Sequence, residues 1–514
     1  MMIKSIGMSV LVLILLAACG SAPATPLAPP TIAPVSAQQI PTATTPPTRV
    51  PTETASTSAP QPEATPTAVV PASAAKTVDD GPQLIVPNAN ALQSYSADGQ
   101  HLQTFNQAQL SLGRNLSDGI APSGGQVAFI SGDNPMTPER EGSGPLQLNL
   151  LDMRTGSQKP IAPLFSPEME QAITAAAATF DRTAATEAGI AVAENSGTLA
   201  WSPDNRYLAF IAASDGPSSD VYSYDRESGT INRLTDGPNQ AARLFWSPDS
   251  QWIVHEEVES FGTSAGWNVK AVWAAAPDGS GNRKLYDAAT SGDEVFVEWV
   301  SPETFLVYSW TAIGLQNIRL VNLATGEAQR SGPEFPVQAY AVDPQSQTQL
   351  VVVDDTTAQQ NGLTGGLYLD TPGAPPQQVA PGNWYNVRWL PHAQLFFAKG
   401  ESGVISVAPD GTSAAYVGEG ALPIDSPDGA WLLAWGDGNF TSPIGLRLYT
   451  PDGELKRGIT RDPVTLATWS PDSTGVFYVS GGELTYAAIP NGNPELIDAN
   501  TMATETGSLG WAMP

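Results

Sequence analysis

The sequence predicts an all-β chain built from repeated four-stranded units, and three observations carry that prediction. One tetrapeptide occurs three times, as Trp201-Ser202-Pro203-Asp204, Trp246-Ser247-Pro248-Asp249 and Trp469-Ser470-Pro471-Asp472. Partial copies fill the chain between and before them, so that prolines stand at 122, 203, 248, 302, 344, 391, 427 and 471. Each copy is flanked by apolar runs and followed by a second turn signal, such as Pro277-Asp278-Gly279 or Pro451-Asp452-Gly453. Four short strands recurring about every 40 to 45 residues are the mark of a propeller blade. The expected fold is a single β-propeller of four-stranded blades.

Each repeat has the same local logic. An apolar strand such as Leu244-Phe245-Trp246 runs into Ser-Pro-Asp, where proline presets φ and aspartate bonds its own backbone to close a tight turn. A second apolar strand follows, for example at residues 207–211, 305–308 or 476–479. The later Asp-Gly and Asn-Gly pairs supply the positive φ that two-residue hairpins need. Eight repeats run from about residue 117 to residue 499. A hairpin at 91–105, turning at Ala97-Asp98-Gly99, precedes them, and residues 507–513 follow. Ring closure mixes strands from both termini, so the ends complete a shared blade; eight blades are expected, with seven and nine open.

The first proline interval is longer than the others and marks an insertion at about 163–195. Ser166-Pro167-Glu168 reads as a helix start, with serine as N-cap, proline in the first turn and an acid beside it. Four consecutive alanines continue it, so a helix is expected near 167–182, as a peripheral decoration ahead of a lid or docking element.

On these turns the region 83–514 resembles the TolB-type, WD-repeat-like propeller family, and it is similar to the propeller of prolyl-oligopeptidase-type enzymes. That resemblance implies an architecture and leaves function open, because propellers host many activities. The hydrolase domain that accompanies such propellers in peptidases is not expected in this chain.

The first eighty residues are of a different kind. Lys4 provides a positive start, residues 8–16 a short apolar run, and Leu16-Ala17-Ala18-Cys19 a small-residue cleavage site. This resembles the bacterial lipobox, which implies removal of residues 1–18 and acylation of Cys19, with palmitate among the chains; two or three acyl chains would anchor stably. Cys19 is the single cysteine, which also excludes a disulfide framework. Residues 19–82 are rich in Pro, Thr, Ala and Ser, and the first aromatic residue of the chain is Tyr95. Such a segment cannot offset its ordering entropy and is expected to be a disordered stalk.

Charge and histidine usage narrow the chemistry. Fifty-one acidic residues against 23 basic ones give a formal charge of −28, which argues against a nucleic-acid partner. Gly262-Thr263-Ser264-Ala265-Gly266 matches a nucleophile-elbow string, yet its surroundings are extended and a loop is the better reading. In His255-Glu256-Glu257-Val258-Glu259, strand alternation puts His255, Glu257 and Glu259 on one face, able to hold a cation in the channel; a solvated blade edge is the expectation. His101 and His392 sit in or near turns. The run from Asp278 begins like a calcium loop and lacks its final glutamate. Trp310, Trp384, Tyr385, Trp431 and Trp435 exceed one motif tryptophan per blade and serve either as a stacking platform or as core.

The sequence therefore points to a lipid-anchored module of the bacterial cell envelope, extracytoplasmic, without cofactor, metal or catalytic constellation. It is expected to bind a protein or glycan partner as module or scaffold. The alternative is a glycan- or peptide-processing enzyme using channel-mouth carboxylates.

Overall fold

A computed structural model describes residues 81–88, 91–106, 116–137, 144–262, 267–288, 293–311, 314–401, 403–416, 423–436, 445–499, 501 and 509–514. The leader, Cys19, the stalk to residue 80 and Ser264 lie outside the described residues.

Nine sheets form the propeller. The third blade orders its strands Leu199–Trp201, Tyr207–Ala212, Asp220–Asp225 and Ile231–Arg233 as an antiparallel meander, and the fourth repeats this with Gln240–Trp246, Ile253–Ser260, Asn268–Ala275 and Asn282–Asp287. The fifth to ninth blades begin at Asp293–Ser301, Ala339–Val342, Trp384–Leu390, Ile424–Asp425 and Leu466–Trp469. First strands of neighbouring blades meet, as Leu199–Trp201 does with Gln240–Trp246, which puts the first strand of each blade next to the axis.

The expected count of eight is corrected to nine. The N-terminal segment does not patch one of the eight repeats; it supplies three strands of its own, Gln83–Asn88, Ala91–Ser96 and His101–Asn106. The C-terminal strand Gly510–Ala512 adds the fourth, pairing antiparallel with Leu84 opposite Trp511. Trp511 also packs edge-on against Phe477 of the ninth blade, with centroids 5.5 Å apart. Closure thus removes an open strand edge that would otherwise pair with other chains. The second blade is the irregular one. Its ladder has three strands, Gln126–Ser131, Gln147–Asp152 and Gln158–Pro163, and its innermost position is reduced to a bridge between Ile120 and Val127.

The repeated tetrapeptide does two jobs. Within the turn, Ser202 Oγ donates to Asp204 Oδ1 at 2.6 Å and accepts from Tyr207 N at 2.9 Å. Ser247 with Asp249, Ser426 with Asp428 and Ser470 with Asp472 repeat the bond at the same distance. The residue after the aspartate takes positive φ, as Asn205, Ser250, Gly429 and Ser473 do, which favours short polar side chains or glycine. Between blades, each motif tryptophan donates its indole N–H to a carbonyl of the preceding blade: Trp201 to Gly119, Trp246 to Ala200, Trp469 to Ile424. The positive-φ serine adds a latch, since Ser250 Oγ accepts from Asp204 N at 2.9 Å and Ser473 Oγ from Asp428 N at 3.0 Å.

The insertion forms the helix Pro167–Thr179, with Ser166 accepting from Met169 N, as its sequence predicts. A second helix, Ala184–Gly189, opens with a capping box between Thr183 and Thr186. It is not a peripheral decoration. Ile173, Ala188 and Val192 are fully buried, and Ala191 packs with Ala242, Val258 and Phe261 of the fourth blade. Glu187 completes the tie, bonded to Arg182 at 2.7 Å and to Phe261 N at 2.8 Å. Among the described residues, no helix is long and apolar enough to cross a membrane.

Candidate functional site

Because successive strands alternate direction, the Ser-Pro-Asp turns lie at one end of the blades. The connections between second and third strands, and between one blade and the next, lie at the other. On that second side a cavity of about 280 Å³ opens between the third and fourth blades. The third blade contributes Asp220 at the start of its third strand and the linking segment through Asp236 and Asn239; the fourth contributes His255, Glu257 and Trp273.

Geometry fixes most of these groups. Glu257 accepts from the Trp273 indole at Oε2, 2.8 Å, and from the Asn239 amide at Oε1, 2.6 Å. Asp220 is 2 % exposed. It accepts from Arg233 at 2.7 Å and Thr235 at 2.8 Å, and burial nevertheless raises its carboxyl above the ordinary range. Arg233 also reaches Asp215 and Asp236, at 3.2 and 2.9 Å. His255 is 3 % exposed, and neither ring nitrogen has a hydrogen-bond partner of good geometry. Burial pushes its pKa down to about 4, against the Glu256 backbone, the Asn282 side chain and the Glu257 charge, which favour the protonated form. The ring is neutral at pH 7.

The expectation of a solvated edge at residues 255–259 is therefore corrected. His255 and Glu257 do share a face, but that face is a pocket wall at a blade interface. Glu256, on the other face, is 2 % exposed and bonds Arg243 at 3.1 Å. A ladder irregularity after Glu257 breaks the alternation, and Glu259 turns outward to Asn268 and Lys270. Among the described residues, no group of three His, Cys, Asp or Glu is placed to hold a metal.

The remaining candidates scatter. His101 stands against Tyr95, and His392 has its backbone N–H on Asp425 at 2.7 Å. Asp278 accepts from Ser280 N within its turn. Trp384 is buried, Trp431 and Trp435 pack onto the apolar cluster of the eighth and ninth blades, and the Trp310 side chain lies outside the described residues. Tyr385 is the exposed member; of the three described tryptophans Trp384 is core, while Trp431 and Trp435 are half-buried against that apolar cluster. One further carboxyl was missed by sequence reasoning. Glu298, on the innermost strand of the fifth blade, is pushed up to about 7 by burial and by the charge of Asp343. No sequence signal marked it.

No family model matches this chain. It is 41 % identical over 54 residues to the uncharacterized peptidase YuxL of Bacillus subtilis (strain 168), 10 % of this chain and 8 % of that protein. It is 30 % identical over 89 residues to the uncharacterized protein Atu1656 of Agrobacterium fabrum (strain C58 / ATCC 33970), 17 % of this chain and 28 % of that one. The match thus spans less than a third of either relative. Among solved structures, it is similar to a dipeptidyl peptidase 4 from Porphyromonas gingivalis, at a TM-score of 0.47 and 12 % identity over 81 % of this chain and 65 % of that one. TolB from Acinetobacter baumannii matches at a TM-score of 0.29 and 12 % identity, over 65 % and 63 %. The protein is a β-propeller by its own nine sheets, and likenesses of this size say nothing of its activity.

Proposed function

We propose that this protein is a lipid-anchored, extracytoplasmic β-propeller of the bacterial cell envelope whose ring binds a ligand or protein partner. The pocket between the third and fourth blades carries this reading: it is concave, has an apolar wall and brings together a few polar groups aimed inward, as small-ligand sites do. The lipobox-like sequence at Cys19 and the Pro-rich segment after it support an anchor and a spacer. Two experiments test the two halves. Cys19→Ser should move the protein from the detergent phase to the aqueous phase, and unchanged partitioning sinks the anchor. A screen of sugars, amines, carboxylates and short peptides against the full chain should give a saturable response that Trp273→Ala weakens; no such response sinks the binding role.

A second reading, acid-assisted cleavage of a glycan or peptide, rests on Glu298, on the innermost strand of its blade, whose carboxyl is pushed up to about 7 by burial and by Asp343. Turnover of a glycan or peptide library that Glu298→Gln abolishes would favour it over binding alone.

A further inference from the structure

The pocket between the third and fourth blades holds a carboxylate with acceptor positions to spare. Each Glu257 oxygen receives one bond, and a carboxylate has room for about four. Three nearby donors are committed: the single Trp273 N–H goes to Glu257, the Thr235 hydroxyl to Asp220, and the Ser218 hydroxyl to the Gly237 carbonyl. His255, almost wholly buried in the wall, adds a neutral imidazole, which presents one ring nitrogen as an acceptor and the other as an N–H donor. Buried polar groups without partners cost stability, so an unpartnered ring in a cavity wall marks a place for a bound group.

Charge points the same way. Asp220, Asp236 and Glu257 face the cavity, and Arg233, which supplies the neighbouring positive charge, is already divided among Asp215, Asp220 and Asp236. A ligand bringing N–H protons and positive charge complements these carboxylates. Pro238, Ala241 and the Trp273 ring give an apolar wall suited to an alkyl stem. We propose that this pocket binds an organic cation, a primary ammonium or guanidinium on an alkyl stem, with Glu257 as its counter-charge and His255 as an added acceptor. The proposal rests on reading the ring as a binding module.

Such a group arrives either as a free amine or as a lysine or arginine side chain of a peptide. Isothermal titration of the full chain in detergent with putrescine, agmatine and short lysine- or arginine-bearing peptides separates the two. Saturable binding is expected, and Glu257→Gln should weaken it by about tenfold or more. Glu259→Gln, two positions along the strand and outside the pocket, should leave it unchanged. Asp236→Asn, at the exposed rim, is the second variant should Glu257→Gln melt well below the parent. Peptides binding at least about tenfold tighter than free amines would assign the group to a protein partner, and the reverse order to a small metabolite; either result upholds the cation. If a neutral sugar or a dicarboxylate binds in a Trp273-dependent way while cations do not, the cation is overturned and the binding module stands. If nothing binds, both fall together.

Discussion

After the Ser202 turn, the third blade continues as Leu208-Ala209-Phe210-Ile211-Ala212, all buried. At the same offset from Ser247, the fourth blade continues as Ile253-Val254-His255-Glu256-Glu257. The turn bonds have equal lengths, and both motif tryptophans reach the blade before them. Where the third blade stacks Phe210 on Tyr222, the fourth sets a neutral histidine opposite Trp273 and a carboxylate beside it. The ninth blade sides with the third, placing Tyr478 and Val479 where the fourth has His255 and Glu256. The turn and the burial of the next strand belong to the repeat, while the chemistry placed on that strand does not. Burying a phenylalanine stabilises by about 1.5–3 kcal/mol, whereas burying a polar group without partners costs about 1–3 kcal/mol. The fourth blade gives up stability that its neighbour keeps, and a pocket stands where that happens.

This comparison presupposes a closed ring, so the largest effect is expected from opening it. Deleting residues 510–514 removes the strand paired with Gln83–Ile85 and the Trp511 contact with Phe477, for a loss of about 5 kcal/mol. A melting shift under about 2 °C would mean that the strand does not hold the ring.

Next comes the core residue itself. Phe210→Ala should cost about 3–5 kcal/mol in denaturant unfolding, while His255→Leu should be neutral or stabilising at pH 7. Equal losses from the two would erase the distinction between the blades.

The third test is pH. His255 has a folded pKa depressed to about 4, so the unfolded chain binds the extra proton between pH 6.5 and 4. Its contribution is fully present at pH 7 and is lost as pH falls through that window, on the order of 3 kcal/mol. His255→Leu should remove that slope.

Glu298 has the opposite sign. Its raised pKa contributes stability at low pH that is lost as pH rises from 4.5 through about 7. After solvent screening of a partly exposed group, on the order of 1 kcal/mol remains. Glu298→Gln should therefore stabilise the protein at pH 8 and not at pH 4, as read from urea midpoints.

The smallest effect is at the latches. Ser250→Ala and Ser473→Ala each remove one bond between turns and should cost about 1 kcal/mol alike in urea unfolding. Unequal costs would show that the blades differ already at the turn.

Much of this was legible where the cause is local. Ser-Pro-Asp closes with partners within five residues, and Ser166-Pro167 starts its helix at the residue expected. The fourth blade also carried a readable anomaly: aligned on the turn serines, three consecutive polar residues stand where the third blade has none. What that anomaly meant was not legible, because His255 lines a pocket completed by a connection from another blade, which also sends Asn239 to Glu257.

The sequence by itself determined the repeat, the turn chemistry, the strand periodicity and the helical insertion, since each depends on φ preferences and bonds spanning a few residues. Only the tertiary structure decided that there are nine blades, because Leu84 opposite Trp511 is a pairing across the whole ring. It also decided that the insertion is a tie to the fourth blade, that Trp384 is core, and that His255 and Glu257 wall a pocket. Those outcomes depend on which surfaces meet, and burial, the term that sets both packing energy and pKa, is a property of the meeting and not of the segment.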